Sequence, residues 1–192
     1  MIAASNTIPA ATGAAMVQSG GRLCKVMGFG YNLLMSQSEP PDWRHSGVRV
    51  IKSDRLDNNT AQTPGMQRAA AINFARVGSQ KLWAGTVIIT PNARTGAHHH
   101  GALESVIYVV KGAARMRWGE RLEFTAQAEQ GDFIFVPPYV PHQEINALSD
   151  SPLECVLVRS DNESVVVNLN IDAAERVEEV YWIDPIHGKP IP

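Results

Sequence analysis

The residues with the clearest chemical potential are three consecutive histidines followed by a glutamate. His98, His99 and His100 are adjacent, and Glu104 follows four positions later. On a β-strand, residues two positions apart face the same side, so His98 and His100 should project together while His99 points away. Glu104 shares their parity. Two imidazoles and a carboxylate on one side of a divalent ion leave its other coordination positions open to water, dioxygen or a chelating substrate.

A fourth imidazole lies downstream, after a proline-rich turn. Residues 131–142 read Gly-Asp-Phe-Ile-Phe-Val-Pro-Pro-Tyr-Val-Pro-His, which predicts a buried strand, a turn and a new strand that begins at His142. Pro137, Pro138 and Pro141 restrict the backbone of the turn and so lower the entropy cost of placing this histidine. His142 is therefore a candidate fourth ligand.

These residues resemble the two motifs of the cupin superfamily, and in particular its small single-barrel, RmlC-like members. His98-X-His100-X3-Glu104 followed by Gly112 resembles the first motif, and Gly131-X5-Pro137-X-Tyr139-X2-His142-X3-Asn146 resembles the second. The resemblance implies a double-stranded β-helix, or jelly roll, with a small-molecule ligand in the barrel and a homodimeric assembly. It also implies one divalent transition metal per chain (Fe, Mn, Ni, Co or Zn), held by His98, His100, Glu104 and His142.

The sequence departs from the family pattern at three points. Seven residues instead of six separate Glu104 from Gly112, which predicts a bulge or a shifted turn. Tyr139 replaces the internal glycine of the second motif. Gly96 lies only two residues before His98, so the leading glycine is out of place. None of these departures removes a ligand.

Plainer interpretations exist for the histidines and for their neighbours. A run of histidines can be a tag or a solvated patch, and some cupins have lost their metal. Tyr108 could line the cavity or belong to the core. Arg115 and Arg117 suit a solvated face, although on the inner face they would bind a carboxylate or phosphate. Of Gln143 and Glu144, one should point inward, where it could orient a ligand or move a proton.

The rest of the chain predicts an all-β fold. Short runs rich in Val, Ile, Tyr, Phe and Trp, separated by Gly, Pro and Asn, are typical of a sandwich or barrel. These runs are 48–51, 82–90, 105–111, 113–118, 122–128, 132–136, 153–159 and 165–169.

The sequence predicts three parts along the chain. Residues 1–42 read as a weakly structured leader or an edge segment, since the first 21 carry no charge. Residues 43–170 form the barrel. Residues 171–192 form a tail that packs on the barrel or on a partner, with a helix over 172–180 that Asp172 can cap.

Composition narrows the function. Among 192 residues, 17 are Lys or Arg and 19 are Asp or Glu, so a net charge of −2 gives no attraction to nucleic acid or to an anionic membrane. The sequence contains no apolar stretch long enough to span a bilayer. Cys24 and Cys155 do not form a disulfide framework, which favours a reducing cytoplasm.

Three classes of function remain. The first is a metal-dependent enzyme acting on a small polar metabolite, either a dioxygenase or a sugar or keto-acid isomerase or decarboxylase. The second is a non-catalytic metabolite-binding module. The third is a storage role, which the single motif pair disfavours. Fold alone does not select among them.

Overall fold

The computed structural model describes residues 42–162, 165–183 and 185–186. The expected leader lies, apart from Asp42, outside the described residues, and so does the end of the predicted tail. The part of the chain that the structure describes has no helix with the length and hydropathy needed to cross a membrane.

The described residues are mostly β-structure. The strands are β1 (Met66–Ile72), β2 (Trp83–Ile89), β3 (His98–His99), β4 (Ser105–Lys111), β5 (Ala113–Trp118), β6 (Phe124–Glu129), β7 (Phe133–Val136), β8 (His142–Asn146), β9 (Leu153–Arg159), β10 (Val167–Asn168) and β11 (Glu178–Glu179). Two short α-helices, α1 (Trp43–Ser46) and α2 (Phe74–Val77), and a 3₁₀ turn (Ser53–Arg55) accompany them.

The strands form two sheets. One has the order β1-β2-β9-β4-β7 and the other the order β10-β3-β8-β5-β6-β11. All neighbours within the first sheet are antiparallel. In the second sheet only the short β11 runs parallel to its neighbour β6. This is a double-stranded β-helix, so the predicted fold class is confirmed.

The apolar core lies between the sheets and follows strand parity. On β9, Leu153, Cys155 and Leu157 are buried at alternate positions, and on β4, Ile107 and Val109 are buried in the same way. Fully burying a Leu or Val side chain contributes about 1.5–3 kcal/mol. This alternation fixes the register of each strand and therefore decides which polar residues point inward.

The extra residue predicted between Glu104 and Gly112 takes the form of a bulge. The register of β4 against β9 shifts between Val109 and Lys111, so Val110 has no counterpart on β9. Tyr139, at the glycine position of the second motif, adopts φ 61°, the left-handed conformation that glycine enters without strain. Tyr139 therefore occupies a backbone conformation that favours glycine.

The helix predicted over 172–180 is wrong. Residues 171–177 have no regular structure, and Glu178–Glu179 form β11 against β6. Backbone N–H groups of Ala174 and Glu178 donate to the carbonyls of Arg121 and Glu123. These bonds to a sheet edge replace the internal bonds of a helix that is too short to be stable alone.

Among the described residues, one predicted strand is absent, and a further observed strand is not predicted by the sequence. Residues 48–51 form no strand, and Val48 is almost fully exposed. Conversely, the sequence does not predict β1, because Met-Gln-Arg-Ala-Ala-Ala-Ile is poor in β-branched and aromatic residues. It forms because every residue of the segment except Ala71 pairs with β2, and tertiary pairing overrides weak local preference.

Candidate metal centre

Neighbouring strands of the second sheet bring three histidines together. His98 on β3 lies directly opposite His142 on β8, and His100 follows β3 by one residue. All three side chains are at most 5% exposed. Glu144 lies two residues after His142 on β8 and therefore faces the same side. The cluster thus comprises His98, His100, His142 and Glu144.

The spacing within this cluster suits a single ion. One ligand atom from each of the four residues lies within 4.8 Å of the corresponding atom of every other. The imidazole ring centroids are 4.4–5.1 Å apart. Ligand atoms around a metal at about 2.1 Å are themselves about 3–4 Å apart, so small side-chain adjustments would close the shell.

Backbone carbonyls fix the tautomer of each imidazole. The Nδ1 atoms of His98, His100 and His142 lie 3.0, 2.8 and 2.8 Å from the carbonyl oxygens of Gly96, Val165 and Val140. A carbonyl only accepts, so each Nδ1 carries the proton and donates it. Each Nε2 therefore presents a lone pair to the cluster, which is the arrangement typical of metal-binding histidines.

One of these lone pairs has no partner. His142 is only 1% exposed, and its buried Nε2 accepts no hydrogen bond from the residues that the structure describes. An unsatisfied buried polar atom is costly. The residues present therefore fit a divalent cation on chemical grounds: three imidazole nitrogens and one carboxylate lie around a common point.

The electrostatics keep this donor set ready for a cation. Burial and the charge of Arg159 lower the pKa of His100 to about 4, and burial lowers the pKa of His142. Burial alone would raise the pKa of Glu144, but His98, His142 and Arg68 bring that pKa below its ordinary value. Neutral imidazoles beside an ionised carboxylate are the protonation states that metal binding requires.

Glu104, the carboxylate expected from the motif, does not join the cluster. Its side chain is exposed, and its N–H donates to Ser160 Oγ. The strand parity counted from His98 does not extend this far, because Gly101 turns the backbone at φ 59° and β4 begins only at Ser105. Ser105, not Glu104, faces inward, and Glu144 supplies the carboxylate from the opposite strand.

The other predicted candidates lie outside the cluster. His99 accepts from the N–H of Gly101 and lies 6.0 Å from the ring of Tyr139. Gln143 points away from the cluster and donates to the carbonyl of Thr95. Tyr108 packs against Phe133 at a centroid distance of 4.7 Å.

Arg115 and Arg117 do not face the cavity. Arg115 is exposed, and Arg117 donates to the carbonyls of Leu122 and Ala174. Arg117 thereby links β5 to the C-terminal segment.

Cys155 is buried. Burial, and to a lesser extent the charge of Glu144, raise the pKa of its thiol to about 12, so the thiol is unreactive.

Two cations beside the cluster, the buried Arg159 and the half-buried Arg68, were not singled out from the sequence. Arg159, at the end of β9, donates from Nη2 to His100 Nε2 over 3.3 Å. Arg68, on β1, lines the same interior cavity as Glu144. Arg159 could have been found as the next inward position after Leu157, whereas Arg68 depends on the unexpected strand β1.

The fold is a β-barrel of the double-stranded β-helix class, and its interior holds a cluster of side chains of the kind that binds metal ions. A family model described as Cupin domain matches residues 85–159. This segment contains all four residues of the cluster, so the chain contains a cupin domain.

Solved structures resemble this fold at low sequence identity. A structure of oxalate decarboxylase matches at 23% identity and TM-score 0.51, over 60% of this chain and 31% of that one. A Klebsiella pneumoniae protein with a double-stranded β-helix domain matches at 15% identity and TM-score 0.50, over 64% and 98%. KdgF from Halomonas matches at 21% identity and TM-score 0.45, over 55% and 86%.

These likenesses concern the fold alone. The chain spans only 28–31% of the length of the oxalate decarboxylase chains that it matches. No curated protein sequence matches the chain significantly.

Proposed function

We propose that the protein binds one divalent transition metal through His98, His100, His142 and Glu144, and that it is a metal-dependent enzyme acting on a small polar metabolite in the barrel. The carrying observation is that three buried histidines donate Nδ1–H to backbone carbonyls and turn their Nε2 atoms to one point. Imidazole and carboxylate suit Fe, Mn, Ni, Co and Zn, so the donor set does not select among them.

Elemental analysis of anaerobically purified protein tests metal binding. We expect close to one transition metal per chain. His100→Ala should lose this metal, because the Nε2 that it removes is one of the proposed ligand atoms. His99→Ala is the matched control, since its ring lies outside the cluster, and it should keep full metal content. Full metal content in a folded His100→Ala protein would refute the site.

The identity of the metal then directs the assay for activity. Iron would call for measurement of dioxygen uptake with candidate metabolites, since open positions on Fe(II) can take dioxygen and substrate. Mn, Ni, Co or Zn would call for isomerase and decarboxylase assays, in which a Lewis acid polarises a carbonyl. Turnover separates the enzyme from the alternative, a non-catalytic barrel that binds a metabolite without converting it.

We further propose a homodimer that forms through β7, which is an edge strand of the first sheet in the part of the chain that the structure describes. Edge strand β7 exposes Phe133 by 72% and Phe135 by 58% on its outer face. Such an edge is a template for pairing with a second chain. Light scattering after gel filtration should give about twice the chain mass, and Phe135→Ser should shift the population towards monomer. A wild-type protein that stays monomeric at high concentration would contradict the proposal.

A further inference from the structure

A buried guanidinium with few hydrogen-bond partners adjoins the metal-binding cluster. Arg159 is 7% exposed, and its Nε is buried without a partner. Its Nη2 donates to His100 Nε2, and its guanidinium lies 5.9 Å from the ring of Trp83. Among the described residues, no carboxylate lies within ion-pair distance of Arg159. The positive charge is therefore enclosed but not neutralised by direct contact.

The guanidinium groups of Arg159 and Arg68 line one small cavity. The cavity is bounded by Thr60, Ala61, Arg68, Trp83, Arg159 and Val166. Arg68 is held in place by a bond from Nη1 to Thr63 Oγ1 at 2.8 Å. The two like charges repel each other, and burial and the charge of Arg68 together bring the pKa of Arg159 below its ordinary value, although the carboxylate of Glu144 raises that pKa. An anion between them would convert that repulsion into two attractive contacts.

Metal binding would make an anion still more favourable. In the structure, His100 Nε2 accepts a hydrogen bond from Arg159 Nη2. A metal on His100 Nε2 uses the same lone pair, which leaves both Nε and Nη2 of Arg159 without an acceptor. Buried charged donors without acceptors are costly. Two donors on one edge of a planar guanidinium match the two oxygens of a carboxylate.

We propose that Arg159, with Arg68 across the cavity, forms a carboxylate-binding subsite beside the metal centre, so that the ligand of the barrel is a small carboxylic acid. The inference rests on the proposed function, because it places the substrate next to the metal. The two-donor edge of Arg159 favours a planar carboxylate over the tetrahedral oxygens of phosphate.

Titration calorimetry with glycolate and its neutral amide, glycolamide, tests the subsite. The two probes share a hydroxyl and a carbonyl and differ in charge. Metal-loaded wild-type protein should bind glycolate about 10- to 100-fold more tightly than glycolamide, as expected for charge-assisted bonds. The preference should persist at lower affinity in metal-free protein, because both arginines remain. Inorganic phosphate should bind more weakly than glycolate.

The variants assign this preference to a residue. Arg159→Gln should abolish it, and Arg159→Lys should keep only part of it, because lysine retains the charge without the two-donor edge. Arg115→Gln removes an exposed arginine from the outer face and should change nothing. If Arg159→Gln does not fold, Arg68→Gln should still weaken the preference, since Arg68 lines the cavity from another strand.

The possible failures are distinguishable. Metal-loaded protein without a preference for glycolate would refute the subsite and leave the metal centre standing. A protein that takes up no metal but still prefers glycolate would refute the metal centre and support the subsite. A folded Arg159→Gln protein that keeps the preference would show that Arg159 only packs on Trp83. If phosphate binds more tightly than glycolate, the ligand class is a phosphate and not a carboxylate.

Discussion

Glu144→Gln is expected to weaken metal affinity by more than about 100-fold, whereas Glu104→Gln is expected to leave it unchanged. Loss of an outer hydrogen-bond partner of a ligand already costs about 10- to 100-fold, so loss of the only anionic ligand should cost more. Glutamine keeps the shape of the side chain at position 144 but removes the charge that faces three imidazoles. Competition with a chromophoric chelator would measure both affinities.

The pair of variants discriminates between the motif and the structure. Glu104 is the carboxylate that the cupin motif implies, and Glu144 is the one that the fold places among the histidines. The opposite result, with Glu104→Gln losing metal and Glu144→Gln keeping it, would restore the assignment from the motif. Thermal unfolding of both variants would show that any loss of metal does not reflect loss of the fold.

The sequence predicts the histidines of the centre better than its carboxylate. His98 and His100 are close enough for strand parity to hold between them, and the prolines before His142 mark the start of β8. Parity fails at Glu104 because it has to cross the turn at Gly101, where the backbone leaves the extended region. Glu144 could have been predicted as a ligand, since it follows His142 by two residues on one strand. The sequence analysis left open which of Gln143 and Glu144 faces inward.

The β-architecture was predictable because most strands are rich in β-branched and aromatic residues, as on β4 and β9. The exceptions depend on contacts with distant segments. β1 is a strand because β2 pairs with it, and Glu178–Glu179 form a strand because the edge of β6 offers open hydrogen-bonding groups. Neither pairing can be predicted from local composition, because both depend on how the strands are arranged in the sheets.

The second large effect concerns the stability of the barrel rather than its chemistry. Asn146→Ala is expected to lower the free energy of unfolding by about 3–4 kcal/mol. Asn146, the last residue of the second motif, is 3% exposed, and its Nδ2 lies 2.9–3.2 Å from the carbonyls of Ile89, Thr90 and Ser151. Its Oδ1 accepts from the N–H of Leu148 at 2.9 Å. Each backbone group left unpaired in the interior costs about 1–3 kcal/mol.

Urea denaturation of Asn146→Ala against Gln127→Ala measures this effect. Gln127 is exposed, so its replacement should change stability by less than about 0.5 kcal/mol. Asn146→Asp keeps the shape but turns two donors into acceptors that face carbonyl oxygens, so it should destabilise the protein at least as much as alanine. A loss below about 1 kcal/mol in Asn146→Ala would mean that water replaces these bonds.

Metal affinity separates the role of Asn146 from that of the ligands. Asn146 is not one of the four residues of the cluster, and its side chain bonds to the backbone of the β8–β9 turn and of the end of β2. Under conditions where the variant stays folded, Asn146→Ala should therefore bind metal as the wild type does. The motif then combines two functions with separate signatures: histidines whose loss removes the metal from a folded barrel, and an asparagine whose loss weakens the barrel but not the metal centre.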